Sequence, residues 1–173
     1  MRRERRLECS EMDELIDALA GTPKALAQLV ADASDELLDE SVEGGWSART
    51  ILAHFRDDEF LCTRVALERM LAEREPELLF IDGADWEPGR NRTRDRKPWL
   101  LGDFALQRQA SISILRLMRP EDWQRSGRSG GREFSIERFV RRWVEHDREH
   151  VAELERLMGE TADEAQTRRA RID

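Results

Sequence analysis

Between Ile136 and Leu157 the chain sets Ile136, Phe139, Trp143, His146, His150, Leu154 and Leu157 at steps of three and four, which is one face of an α-helix. A stripe of that width has to be buried against other elements, yet two imidazoles stand in the middle of it. The remaining histidine of the chain, His54, lies in a second stripe formed by Ile51, His54, Asp58, Leu61 and Val65. Burying a polar group without a partner costs on the order of a few kcal/mol. One carbonyl or carboxylate could satisfy one imidazole. For three imidazoles on core-facing positions of two helices, a shared divalent ion is the simpler account, with His54, His146 and His150 as ligands and one coordination position left open.

The rest of the sequence divides into helices and breaks. A short helical stretch spans about Glu11 to Ala20. Thr22-Pro23 then reads as a new helix start, with threonine as cap and proline in the first position, followed by Leu26, Leu29 and Val30. Gly44-Gly45-Trp46-Ser47 is a break and restart: Ser47 caps, and Trp46 is placed to staple onto Ile51. That helix is expected to reach about Glu73. Arg74 to Pro98 reads as a long loop with short turns, and a third helix covers Leu100 to Met118 before Pro120. Arg125 to Arg132 reads as a second loop, after which Ser135 caps the fourth helix and Phe134 staples onto Phe139. No strand is expected. The pattern predicts an all-α, mostly antiparallel four-helix bundle in one domain, residues 1–158, with a charged, weakly packed tail over 159–173.

Composition narrows the function. The formal net charge is −8, which disfavours nucleic acid as a partner. No apolar run approaches the ~18 residues of a membrane span, and Met1 to Arg6 lacks the apolar core of a signal peptide. Cys9 and Cys62 are isolated, which fits a reducing cytoplasm, and Cys62 reads as a small buried residue.

The order of these motifs resembles the DinB-like superfamily. The Thr22-Pro23 helix, the run Gly44 to Glu59 containing Trp46-Ser47 and His54, the run Leu117 to Trp123, and His146-Asp147-Arg148-Glu149-His150 together carry the likeness, over about residues 11 to 158. The resemblance implies a DinB/YfiT-like four-helix bundle and a homodimer. It also implies a three-histidine site for zinc, nickel or a similar ion, with His54, His146 and His150 at the ligand positions. Members include transferases that act with bacillithiol, mycothiol or glutathione, a thiol-dependent maleylpyruvate isomerase, and proteins of no established reaction. Similar proteins often carry a histidine in the turn before the fourth helix, where this chain has Arg128-Ser129-Gly130-Gly131.

A shell of three imidazoles contains no anion, so an ion there keeps its full charge. It can lower the pKa of a water to about 7 and deprotonate a thiol outright. Zinc, nickel and iron all suit such donors. Asp57 and Asp58, one turn after His54, are candidates to orient an imidazole or to act as a base. The segment Arg90 to Lys97 holds five basic residues among eight, and Arg90, Arg92 and Arg94 are the candidates to receive the carboxylate of an anionic thiol. Two other metal readings fail on spacing. His146 to His150 spells H-x-x-E-H, but those proteases need a glutamate well downstream, and a di-iron bundle needs Glu-x-x-His on two helices. The expected function is a metal-dependent enzyme, a thiol-dependent S-transferase or a related hydrolase, with a small thiol and an electrophile as partners. The alternative is a non-catalytic, stress-linked interaction module whose metal is structural or absent.

Overall fold

The computed structural model describes the backbone of residues 2–41 and 45–169 and the side chains of 11–41 and 45–159. Gly44, the side chain of Cys9, the side chains of the expected tail beyond Gly159 and the backbone of 170–173 lie outside these. Helix α1 runs Arg2–Leu29 and the short α2 Asp35–Asp39. Helix α3, Ala48–Asp58, continues through a single π-turn, Glu59–Thr63, into α4, Arg64–Ala72. A seven-residue α5, Gly83–Gly89, interrupts the expected loop. Helix α6, Lys97–Leu117, follows, then a β-hairpin of β1, Ser126–Ser129, and β2, Arg132–Ser135, and last α7, Ile136–Arg169. No helix among the described residues is long and apolar enough to cross a membrane.

The two serine caps form as the sequence predicts. Ser47 Oγ accepts from the Thr50 N–H and Ser135 Oγ from the Arg138 N–H, and the rings of Phe134 and Phe139 stack 6.3 Å apart. Four segments make the bundle: α1, α3–α4, α6 and α7. Helix α1 packs along α6 and α7, and α3 packs along the same two. The interior falls into two apolar layers. One holds Ile16 and Leu19 of α1, Leu67 and Met70 of α4, Leu115 of α6 and Val140 of α7. The other holds Leu26, Ile51, Phe104 and Leu154 from the same segments. Comparing the layers gives the directions: α1 and α7 run one way, and α3–α4 and α6 run the other. The bundle is therefore up–down–down–up rather than mostly antiparallel. Two parallel segments in succession require a connection along the full length of the bundle, and residues 73–96 supply it.

Between the apolar layers lies a polar one, set by Arg108. This residue falls on the apolar face of α6, in line with Leu100, Phe104 and Leu115, and is 2% exposed. Its Nε donates to Glu59 Oε2 at 2.9 Å, its Nη1 to the Leu19 carbonyl at 3.1 Å, and its two Nη groups to the Asp147 carboxylate. The guanidinium sits 4.8 Å from the Phe104 ring centre and 5.0 Å from that of Trp143. Ser111 donates to Glu59 at 2.6 Å, and Thr22 donates to Asp147 at 2.6 Å. Burial opposes charge on the guanidinium, but Asp147 and Glu59 outweigh it and raise its pKa. One side chain on α6 thus ties together all four segments.

Three departures from the sequence reading follow from this layer and from turn chemistry. Thr22-Pro23 does not start a helix, because α1 continues through it. A proline inside a helix leaves the carbonyl four residues earlier without its donor, and that carbonyl, Leu19, is the one Arg108 satisfies. The π-turn adds a residue to one turn and moves the inward set on by one. Glu59, Cys62, Thr63 and Ala66 are buried, whereas Leu61 and Val65, expected to face the core, are 44% and 41% exposed. The hairpin replaces the second loop: Gly130 and Gly131 take φ of 54° and 76°, the left-handed values a two-residue turn requires. In addition, the backbone of α7 stays helical past Gly159, where a frayed tail was expected.

Arg108→Leu would leave Glu59 and Asp147 buried without a counter-ion. The expected outcome is a loss of about 3–5 kcal/mol, read as a lower urea midpoint by circular dichroism.

Candidate metal centre

Helix α3 contributes His54, and α7 contributes His146 and His150, which lie one turn apart on the same face. The structure brings all three together. His54 Nε2 and His146 Nε2 are 3.0 Å apart, and one nitrogen from each of the three rings lies within 4.8 Å of the others. Two imidazole nitrogens on a tetrahedral ion, each at about 2.0–2.1 Å from it, are roughly 3.3 Å apart. The spacing therefore fits a single ion after small adjustments. Among the described residues no carboxylate or thiol joins this group.

The protonation states suit the same purpose. Burial, then repulsion from His150 and His146, lowers the pKa of His54 to about 3. Burial, with His150 and Arg142, lowers that of His146 to about 4. Both rings are neutral at pH 7, the form that binds metal. His150 Nδ1 donates to Glu153 Oε2 at 3.0 Å, which fixes its tautomer and turns Nε2 toward the cluster.

Two tryptophans wall the cluster. Trp46, read from the sequence as a staple for Ile51, lies parallel to His150 at 5.9 Å and 5.0 Å from His54. Trp86, on α5, is 5.4 Å from His54. Gly83 makes room for this arrangement, since a Cβ there would come within 2.6 Å of the Trp46 ring. The crossover segment thus delivers α5 and Trp86 to the site.

The two aspartates part company. Asp57 accepts from Trp86 Nε1 at 3.1 Å and from Arg56 Nε at 2.6 Å, so it holds Trp86 in place. Asp58 faces the cavity above the histidines. Burial raises its pKa to about 6, against a hydrogen bond from Cys62 that lowers it. Cys62 itself is buried, as expected, and its thiol is pushed up to about 11, chiefly by burial.

Arg90, Arg92 and Arg94 do not line this cavity. Arg90 is folded inward against Asp95 and the Trp86 ring, Arg92 pairs with Glu87, and Arg94 pairs with Asp103. These ion pairs within the crossover segment and onto α6 are the physical reason why that basic run forms no mouth to the site. The arginines that do line the cavity are Arg132, Arg138 and Arg142. Sequence reasoning missed them because the hairpin that brings Arg132 to the cavity was read as a loop. It also missed Trp86, which no spacing rule connects to His54. Arg108 did leave a signal: it is a charge at a core position of the α6 stripe. Asp147, one position off the histidine stripe, is buried against Arg108, while Glu149 is exposed and pairs with Arg142.

The cavity has a volume of about 630 Å³, with the three histidines at its floor. An up–down–down–up bundle with such a three-imidazole cluster defines a class of helical proteins able to hold a metal. The sequence model of the DinB superfamily matches residues 18–154, which include all three histidines, and the chain belongs to that superfamily. The solved structure of YfiT from Bacillus subtilis is similar at 22% identity, with a TM-score of 0.79, over 87% of this chain and 89% of that one. YfiT is described as a probable metal-dependent hydrolase with an unusual four-helix bundle topology, and the likeness shows that the fold is shared. A search of curated proteins finds no match.

Elemental analysis of untagged protein is expected to find one divalent ion per chain in the wild type and none in His146→Ala. Glu153→Gln should keep the site but weaken it, by about 10- to 100-fold in a chelator competition.

Proposed function

We propose that the protein is a metal-dependent enzyme that joins a nucleophile to an electrophile in the cavity above His54, His146 and His150. The observation that carries this reading is three imidazoles converging in an open cavity, with no fourth protein ligand among the described residues. Structural metal sites are closed by four protein ligands, whereas catalytic ones keep a position free. Zinc and nickel are the favoured ions, with iron also suited. When bound, such an ion supplies Lewis acidity, which makes water or a thiol a nucleophile at neutral pH.

The chain's own residues do the rest. His54, His146 and His150 hold the ion, and Glu153 orients His150. The Asp58 carboxylate, with its pKa near 6, takes the proton that the nucleophile gives up. Trp46 and Trp86 keep bulk water from one side of the cluster. Transfer of a small cellular thiol to an electrophile is the favoured reaction, and hydrolysis would use the same groups with water in its place. YfiT's description as a probable metal-dependent hydrolase supports the common part of the two. The homodimer expected from the resemblance belongs to the same proposal. It is supported by the exposed apolar residues Phe60, Leu61 and Val65, which the π-turn leaves on the outside.

The test is a screen of bacillithiol, mycothiol and glutathione against a generic aryl halide, with nitrophenyl esters in the absence of thiol. Metal-loaded and metal-stripped protein are compared. Turnover is expected only in the loaded protein and should be lost in His146→Ala. Asp58→Asn should lower kcat by about 100-fold and remove the rise in rate as pH climbs through about 6, where the wild-type carboxylate loses its proton. Turnover no faster than the protein-free background, with or without metal and with any nucleophile, would favour the non-catalytic interaction module.

A further inference from the structure

Four side chains of α7 that line the cavity stand at four-residue steps: Arg138, Arg142, His146 and His150. At a rise of about 1.5 Å per residue, Arg138 lies roughly 12 Å along the helix from His146. The cavity is therefore graded, from the metal ligands at one end to arginines at the other. Arg132, at the start of β2, lines the same end.

Carboxylates also line the cavity, but only one of the three arginines is paired. Arg142 is held by Glu145 and Glu149. Asp82 uses its carboxylate to cap α5, accepting from the Ala84 N–H. Glu133 also lines the cavity, but no ion pair joins it to either arginine among the described residues. Arg132 and Arg138 have no acidic partner there, although Arg49, Arg69, Arg119 and Arg141 all do. Arg138 also stands in the first turn of α7, where the positive end of the helix dipole disfavours a cation. Helix stability does not account for it.

Between the arginines and the histidines the wall is aromatic. Phe80 is 6.4 Å from Phe134 and 6.0 Å from Phe139, and Phe139 is 5.7 Å from Trp143. Phe80 is 42% exposed, an apolar cost to the free protein that a ligand would relieve. The volume, about 630 Å³, lies in the range of small-molecule sites.

We infer that Arg132 and Arg138 hold the anionic end of an amphipathic substrate whose aryl or alkyl body lies along Phe80, Phe134, Phe139 and Trp143, with its reacting group at the histidines. This names the electrophile's class and rests on the proposed reaction for the role of that last group. The anion is a carboxylate, sulfonate or phosphate ester, and the body spans roughly 10–12 Å. The small cellular thiols are polar along their length and do not match the aromatic wall.

The probes are octane-1-sulfonate and octan-1-ol, titrated by calorimetry into metal-loaded and metal-stripped wild type and into Arg132→Gln/Arg138→Gln. Both arginines are exposed, so the variant should fold, and circular dichroism checks that it does. The sulfonate is expected to bind the wild type at least about tenfold more tightly than the alcohol, with or without metal, and the double variant should lose that preference while binding the alcohol unchanged. Equal binding of the two probes to wild type overturns the inference. So does a preference that survives in the double variant. A preference that vanishes when metal is removed overturns it too, because the anion would then sit on the ion. Turnover is scored separately. A sulfonate preference without metal-dependent turnover would remove the proposed reaction and leave the anion site standing.

Discussion

The Arg108 guanidinium is the interaction on which this bundle's geometry depends. It reaches α1 through the Leu19 carbonyl, the π-turn through Glu59 and α7 through Asp147. Hydrophobic burial alone would allow each helix to rotate or slide within the core, since apolar contacts are not directional. A buried ion with fixed hydrogen-bond directions permits one arrangement. Such a layer contributes little net stability compared with apolar replacements, but it is costly to leave incomplete. The two ends of this tie adjoin the histidine cluster. Asp147 follows His146 directly, and Glu59 stands five residues after His54. The contacts that fix the rotation of α7 and of the π-turn therefore also aim the imidazoles at one another.

The π-turn and Pro23 are parts of the same device. Without the extra residue, the inward face after His54 would continue through Leu61 and Val65, and Glu59 would not be directed at Arg108. With a proline at position 23, the Leu19 carbonyl has no helical donor, and Arg108 supplies it with one. Each is a local irregularity in a helix, and each is matched by a polar partner on another segment. That is why two helix-breaking features are tolerated inside the bundle.

The part of the fold that obeys local rules was legible in the sequence. The α7 stripe, the serine caps and the phenylalanine staple depend on residues three or four positions apart, and all of them appear. The three histidines could be assigned together because two lie on one stripe and the third on another. The irregularities were hidden because their causes are distant in sequence. Pro23 looks like a helix start until Arg108 is known to meet Leu19. The π-turn leaves no mark in spacing, and the parallel step from α4 to α6 is a matter of topology. The hairpin was a local feature overlooked: Gly130-Gly131 between two short polar segments is itself a turn signal. At the site, the same oversight hid Arg132. Arg90, Arg92 and Arg94 form the densest basic run, yet neighbouring carboxylates hold them, whereas the arginines facing the cavity lie farther apart in sequence.

The consequence for chemistry is a division between floor and rim. The floor is a cluster of imidazoles, one buried and two half-buried, held by packing, by Glu153 and by the tryptophans. The rim is charged and open, built on a hairpin and the first turns of α7. That arrangement suits an ion that keeps one side free for exchange. X-ray absorption spectroscopy of zinc- or nickel-loaded protein tests it most directly. The account predicts three imidazole nitrogens at about 2.0–2.1 Å from the ion and a remaining light-atom position whose signal changes when a thiol or azide is added. A closed shell with a fourth protein ligand, such as Asp58, and no response to added ligand would contradict it.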